Sequence, residues 1–297
     1  MLVEMAIGDA YGAAFEFITP IHAQVVGLIN DGATHQKHPD FDIGMGRYTD
    51  DTQMAVAIAL EMKEGHVLSR KGLADRFVET FKRDERLGYA NKFYDFLKEV
   101  NSGAEFLDRI RPNSTKSGAA MRAGPTGLFR EVTEVLEQAK IQAKVTHNTS
   151  EAILAAQAVA LMTNFFVFQR QTADETKMVS NTWVADWVQH HLPDYDWSKD
   201  WEGWVDGSAI SCAHAAITAV KNGTSYQDVL KRSIAMTGDV DTVAAIAMFA
   251  TSLTDLPNDL PQSLYDGLED GEYGKRYLYA LDGQLKAFAR SEGAMLV

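Results

Sequence analysis

The chain has 297 residues, enough to bury a substantial core as one large domain or two small ones. Hydrophobic residues make up 46% and charged residues 23%, the ordinary globular range, which excludes a disordered chain. The formal net charge of −13 argues against a broad electrostatic footprint on nucleic acid, because such a surface repels phosphate backbones.

The opening stretch carries Glu4 and Asp9 and no basic start, so it does not read as a signal peptide. Residues 30–50 are rich in Gly, Asp and His and read as a loop leading into a helix. That helix covers 52–63, through Met54, Ile58 and Leu60, with Gly65 as its stop. Residues 150–168 begin at Ser150 and run through Ile153, Leu154, Val159 and Leu161 as a second apolar helix. The longest apolar stretches, such as 153–162, are too short to span a bilayer, so no membrane is expected. Residues 183–204 hold all five tryptophans: Trp183, Trp187, Trp197, Trp201 and Trp204. They form either a hydrophobic knot beneath a long insertion or an aromatic wall for a base or a partner. Residues 226–236 and 242–253 read as helices again.

Seven prolines and abundant alanine favour long helices. No run alternates β-branched and polar residues, and no Asn-Gly turn joins two strands. The expected fold is all-α. With no internal repeat and no break in composition, one domain over 1–297 is expected, and a monomer is the default. Cys212 is the sole cysteine, which excludes an intramolecular disulfide framework and a thiolate zinc cluster. A soluble, reducing, cytoplasmic setting follows as the expectation.

Two segments share one design. Tyr48-Thr49-Asp50-Asp51-Thr52-Gln53-Met54 and Thr237-Gly238-Asp239-Val240-Asp241-Thr242-Val243 each place two aspartates and a threonine at the start of an apolar helix. Helix capping explains such residues one at a time, because Asp and Thr accept from the first N–H groups of a helix. Four carboxylates exceed that need, and if the two helix starts converged they would require a cation. Oxygen-only donors suit Mg²⁺, Mn²⁺ or Ca²⁺ rather than zinc, and paired aspartates can reach two ions. Other motifs fail. An EF-hand loop from Asp239 would meet Val243 and Ala244 where it needs an oxygen ligand and a glycine. Gly274-Lys275 lacks the first glycine of a phosphate loop, since Glu269 stands there. No Gly-x-Ser-x-Gly elbow supports serine hydrolase chemistry.

At these residues the chain resembles the ADP-ribosylglycohydrolase family, which includes the dinitrogenase reductase-activating glycohydrolases. Gly8-Asp9-Ala10-Tyr11-Gly12 with Glu16 is similar to the family's opening segment, and Thr49-Asp50-Asp51-Thr52-Gln53-Met54 to its first metal motif. Ser117-Gly118-Ala119-Ala120-Met121-Arg122, with Pro125 and Gly127-Leu128, resembles its phosphate-cradling segment. Thr146-His147 with Glu151-Ala152 resembles its Thr-His motif, and Gly238-Asp239-Val240-Asp241-Thr242-Val243 its second metal motif. The matches span residues 8–246. The family usually has glycine where Thr237 stands and a small residue where Val240 stands, and Met248 and Phe249 interrupt its small-residue spacing. Asp84 is a loose counterpart of a further aspartate found in some bacterial members.

The resemblance implies a compact orthogonal bundle of helices around a binuclear Mg²⁺ or Mn²⁺ centre. Thr49, Asp50, Asp51, Asp239, Asp241 and Thr242 would be the metal ligands. Glu16 would lie beside the metals as ligand, gate or base, with Asp50 and Asp239 as the aspartates that could share its catalytic role. Backbone N–H groups of Ser117, Gly118, Ala119 and Met121 would hold a diphosphate. His147 would contact the substrate or orient a neighbour; without the family context it reads as a hydrogen-bonded buried histidine. The implied reaction is hydrolysis at C1″ of the distal ribose of an ADP-ribosylated protein, arginine-linked first. Three alternatives remain: hydrolysis of a free ADP-ribosyl small molecule such as O-acetyl-ADP-ribose, a catalytically silent binding or structural member, and an all-α interaction protein whose aspartates are caps.

Overall fold

The structure is a computed structural model that describes residues 1–64, 67–169 and 180–296. Its elements in chain order are α1 Leu2–Gly12, α2 Pro20–Val26, α3 Asp50–Glu64, α4 Arg70–Arg83, α5 Asn91–Glu99 and α6 Gly103–Arg109. Two 3₁₀ turns follow, Ser117–Ala119 and Gly124–Leu128. Then come α7 Val132–Lys144, α8 Ser150–Phe168, α9 Trp183–His191, α10 Ala209–Asn222, α11 Tyr226–Ala235, α12 Val240–Thr251, α13 Gln262–Gly267 and α14 Lys275–Ser291. Among the described residues there are isolated β-bridges and no sheet. The all-α expectation holds. The expected stop at Gly65 lies outside the described residues.

Composition explains the layering. α1, α8 and α12 are apolar on every face and lie inside, whereas α4, α5, α11 and α14 carry one apolar stripe and cover them. α1 lies directly on α12 because Gly8 and Gly12 present no side chain there. A methyl group at Gly8 would sit 2.5 Å from the Ala244 carbonyl oxygen, and one at Gly12 would sit 2.5 Å from the Asp241 Cα. This close approach brings the end of α1 to the start of α12. The buried apolar residues form one contiguous cluster, from Leu2 and Ile7 through Phe77, Leu161 and Phe249 to Leu285.

One expectation is corrected. The apolar segment around 153–162 extends into a 19-residue helix, Ser150–Phe168, whose length and mean hydropathy of 1.6 would suffice to cross a bilayer. The rest of the chain buries 78% of it, and it holds Asn164 with its Nδ2 donating to the Phe129 carbonyl at 2.8 Å. It is the central core helix of the bundle.

Candidate metal and substrate site

The two aspartate pairs meet. Asp50 and Asp51 open α3, and Asp239 and Asp241 flank the first residue of α12. The Thr242 Oγ1 donates to the Asp51 Oδ1 at 2.8 Å, which links the two helix starts directly. Glu16, in the turn after α1, brings a carboxylate oxygen to within 4.8 Å of donor atoms on Asp239 and Asp241.

The cap bonds at these helix starts come mostly from elsewhere. The start of α3 is capped from a distance by Asp9, a fully buried aspartate in the middle of α1. Its Oδ1 accepts from the Thr49 N–H at 2.8 Å and the Thr49 Oγ1 at 2.9 Å, and its Oδ2 from the Thr52 N–H at 3.0 Å and the Thr52 Oγ1 at 2.7 Å. Asp50 and Asp51 are thereby released from that role. At α12 the N-cap residue is Asp239, yet its side chain makes no cap hydrogen bond. Its Oδ2 instead accepts from the Ser117 Oγ at 3.2 Å and lies 3.4 Å from the Cys212 Sγ.

Strained backbone holds this arrangement. Thr237 and Gly238 adopt φ of 61° and 100°, and a methyl group at Gly238 would lie 2.0 Å from the Val205 carbonyl oxygen. Val205 pairs with this turn on both sides, donating to the Thr237 carbonyl at 3.0 Å and accepting from the Asp239 N–H at 3.0 Å. Phe17, at φ 52°, donates its N–H to the Gly238 carbonyl at 2.7 Å. Left-handed φ in a bulky residue costs about 1–3 kcal/mol and persists only where the surroundings impose it.

The electrostatics are those of concentrated, buried negative charge. Burial first, and mutual repulsion second, hold Asp50, Asp51 and Asp241 well above the usual carboxylate range. Burial, reinforced by the charges of Asp239 and Asp9, pushes Glu16 up to about 8. Among the described residues no lysine or arginine pairs with Glu16, Asp50, Asp51, Asp239 or Asp241. The Asp241 Oδ1 is buried with no hydrogen-bond partner among the described residues. Orphaned buried carboxylate oxygen of this kind is expensive, and hard oxygen donors of this number fit a divalent cation. Thr49 and Thr242 fit as well, because a hydroxyl that donates to a carboxylate keeps lone pairs for an ion.

Beside the carboxylates lies the 117–119 turn. The Ser117 N–H donates to the Gly207 carbonyl at 3.1 Å, and the Met121 N–H to the Ser117 carbonyl at 3.0 Å. Two of the four expected diphosphate donors are therefore already engaged, while Gly118 is half-buried beside His147. His147 stacks its ring edge on Gly118: a methyl group there would lie 2.8 Å from the imidazole Cε1 and 3.0 Å from the Nε2. Burial, with the charge of Arg122 adding to it, lowers His147 to about 3, so the ring is neutral. Ala119 is fully buried behind the turn.

Other expectations divide. Asp84 accepts from the Arg86 guanidinium at 2.5 Å and 2.9 Å, which places it in an ion pair rather than with the carboxylates. Trp197 and Trp201 form a knot around His214, with Trp197 buried against Tyr195 as well, and Trp187 packs 6.3 Å from Phe165. Trp204 is 42% exposed and faces Phe17 across 6.4 Å, on the rim beside Glu16. Sequence reasoning missed the bracing role of Asp9. Its signal was a carboxylate between Ile7, Gly8, Ala10 and Tyr11 in a helix without another polar face.

Known proteins similar to this chain point to one family. An ADP-ribosylarginine hydrolase, Tri1, of Pseudomonas putida is 23% identical over 258 residues, covering 83% of this chain and 67% of that protein. An uncharacterized protein of Archaeoglobus fulgidus is 25% identical over 288 residues, covering 92% and 91%. The ADP-ribosylhydrolase ARH3 of Xenopus tropicalis is 28% identical over 191 residues, covering 59% and 51%. Among solved structures, a chain of an ADP-ribosylglycohydrolase-related protein complex superposes with a TM-score of 0.69 at 18% identity, covering 97% of this chain and 96% of that one, which shows a shared fold. Residues 1–291 match the family described as ADP-ribosylglycohydrolase, and the chain is a member of that family of hydrolases.

Proposed function

We propose that this chain hydrolyses the bond between C1″ of the distal ribose and an ADP-ribosylated protein side chain, with arginine-linked ADP-ribose as the first substrate. The carrying observation is the convergence of four aspartates and Glu16 in a buried site where Asp9 caps α3, Asp239 makes no cap hydrogen bond and, among the described residues, no lysine or arginine pairs with any of the five. The name of the Pseudomonas putida relative favours the arginine linkage.

In this reading Thr49, Asp50, Asp51, Asp239, Asp241 and Thr242 would hold two divalent cations of the Mg²⁺ or Mn²⁺ kind. Such ions, when bound, neutralise the carboxylates and lower the pKa of water. The chain's own residues supply the rest. The Gly118 N–H and the neutral His147 orient the diphosphate, and Glu16 takes the proton of the attacking water. Glu16 suits that role by position, because its carboxylate lies within 4.8 Å of ligand atoms on Asp239 and Asp241. Carboxylate charge not offset by the cations would stabilise an oxocarbenium-like transition state at C1″.

The test is release of ADP-ribose from an arginine-ADP-ribosylated protein with Mg²⁺, with Mn²⁺ and with EDTA. Cation-dependent release blocked by EDTA supports the reading. Absence of release with cation still bound rules out the arginine linkage and moves the substrate to serine-linked, ester-linked or free ADP-ribosyl compounds.

A further inference from the structure

Arg122 is an unusual buried charge. Only 1% of it is exposed, and among the described residues no carboxylate lies within ion-pair distance of its guanidinium. It packs on the Phe77 ring at 4.7 Å and donates to three neutral oxygens. These are the Gln142 Oε1 at 2.7 Å, the Gln142 carbonyl at 3.1 Å and the Thr146 Oγ1 at 2.8 Å. A buried guanidinium bonded only to neutral oxygens costs stability, so its presence here points to a task.

The chemistry of each partner fixes the next. Arginine can only donate, so the Thr146 Oγ1 must accept from it. One hydroxyl hydrogen remains on Thr146, and the acceptor in reach is the His147 Nδ1 at 2.6 Å. Were His147 to donate from Nδ1 instead, that hydroxyl hydrogen would be buried without an acceptor. The same logic acts on Gln142: its Oε1 faces Arg122, so its Nε2 must point away, and it donates to the Ala119 carbonyl at 2.8 Å.

We propose that Arg122 is a positioning residue which, through Thr146, locks His147 as the neutral Nε2–H tautomer and, through Gln142, fixes the 117–119 turn, so that the imidazole presents a donor to the substrate's diphosphate. The opposite tautomer would aim a lone pair at anionic oxygen. The lowered pKa of His147 agrees, since burial first and Arg122 second disfavour a second proton on the ring. The diphosphate as recipient rests on the function proposed above; the tautomer does not.

The test is the imidazole ¹⁵N spectrum of His147 in the full-length protein, assigned by its loss in His147→Gln, together with ADP-ribose affinity in the presence of Mg²⁺. The expected wild-type spectrum has an unprotonated Nδ1 and a protonated Nε2. Thr146→Val abolishes that pattern and weakens ADP-ribose binding about tenfold, the ordinary loss for one hydrogen bond to a charged ligand. Thr146→Ser, which keeps the hydroxyl, restores both. Arg122→Met should act as Thr146→Val does; if it fails to fold, the threonine pair carries the test. A protonated Nδ1 in the wild type overturns the proposal, as does a Thr146→Val protein with unchanged spectrum and affinity. If wild-type protein with Mg²⁺ binds no ADP-ribose, the functional reading fails, while the ring spectrum still decides the relay.

Discussion

The N–H of Phe17 donates to the carbonyl of Gly238 at 2.7 Å, and this one bond fastens the residue after Glu16 to the residue before Asp239. Both sides are strained, since Phe17 and Thr237 hold φ of 52° and 61°. The turn needs left-handed backbone at 237, and the family's usual glycine there has this physical reason. Thr237→Gly should remove the steric cost while adding chain entropy to the unfolded state, for a net stabilisation of about 0.5–1 kcal/mol. Calorimetry should show a rise of about 1–3 °C in Tm. A fall in Tm would mean that the Thr237 Oγ1 contact to the Met236 carbonyl, at 2.6 Å, outweighs the strain.

Among the described residues the buried Oδ1 of Asp241 has no hydrogen-bond partner, the position expected of a cation ligand. In wild-type protein, Mg²⁺ at a hundredfold its Kd should add about 2.7 kcal/mol of stability. Asp241→Asn should lose that increment and the hydrolysis, while in EDTA it should be at least as stable as wild type, because one repelling carboxylate is gone. Melting curves with EDTA and with Mg²⁺ separate these effects. A variant less stable than wild type in EDTA would show that Asp241 serves the fold.

Much of this is legible in the sequence. The helix expected at 150–168 is Ser150–Phe168, and those at 226–236 and 242–253 are Tyr226–Ala235 and Val240–Thr251. Paired aspartates before two apolar helices announced a site because their charge exceeded any capping need. What stayed hidden depends on contacts distant in sequence. Asp9 is a brace only because α3 delivers Thr49 and Thr52 to it from some 40 residues away. The close packing of α1 on α12 depends on Gly8 and Gly12 facing Ala244 and Asp241, a pairing that no local pattern encodes. The split of the tryptophans into knot and rim likewise depends on Phe17 arriving beside Trp204.

Gly118 tests the substrate turn apart from the carboxylates. A methyl group there would meet the His147 Cε1 at 2.8 Å and must displace the ring or the turn. Gly118→Ala should therefore raise KM about tenfold with a smaller change in kcat, the pattern of a lost binding contact. Cation binding by calorimetry should stay at the wild-type level. Loss of the cation in this variant would show that the turn and the aspartates cannot be separated.

His147 sets one limb of the pH dependence of stability. Its folded pKa lies at about 3 against an unfolded value of 6.5, because burial and then Arg122 disfavour the charged ring. A depressed folded pKa contributes stability that is present above pH 6.5 and is lost as pH falls towards 3. Between pH 8 and pH 5 this one group should cost the fold about 2 kcal/mol. The buried carboxylates act with the opposite sign, since their raised pKa values favour the protonated fold at lower pH, so the difference between wild type and His147→Gln isolates the histidine. Denaturant melts of both proteins at pH 8 and pH 5 should show the wild type losing about 2 kcal/mol more than the variant. Equal losses would mean that His147 takes up its proton in the folded state, and the neutral donor assigned to it would have to be abandoned.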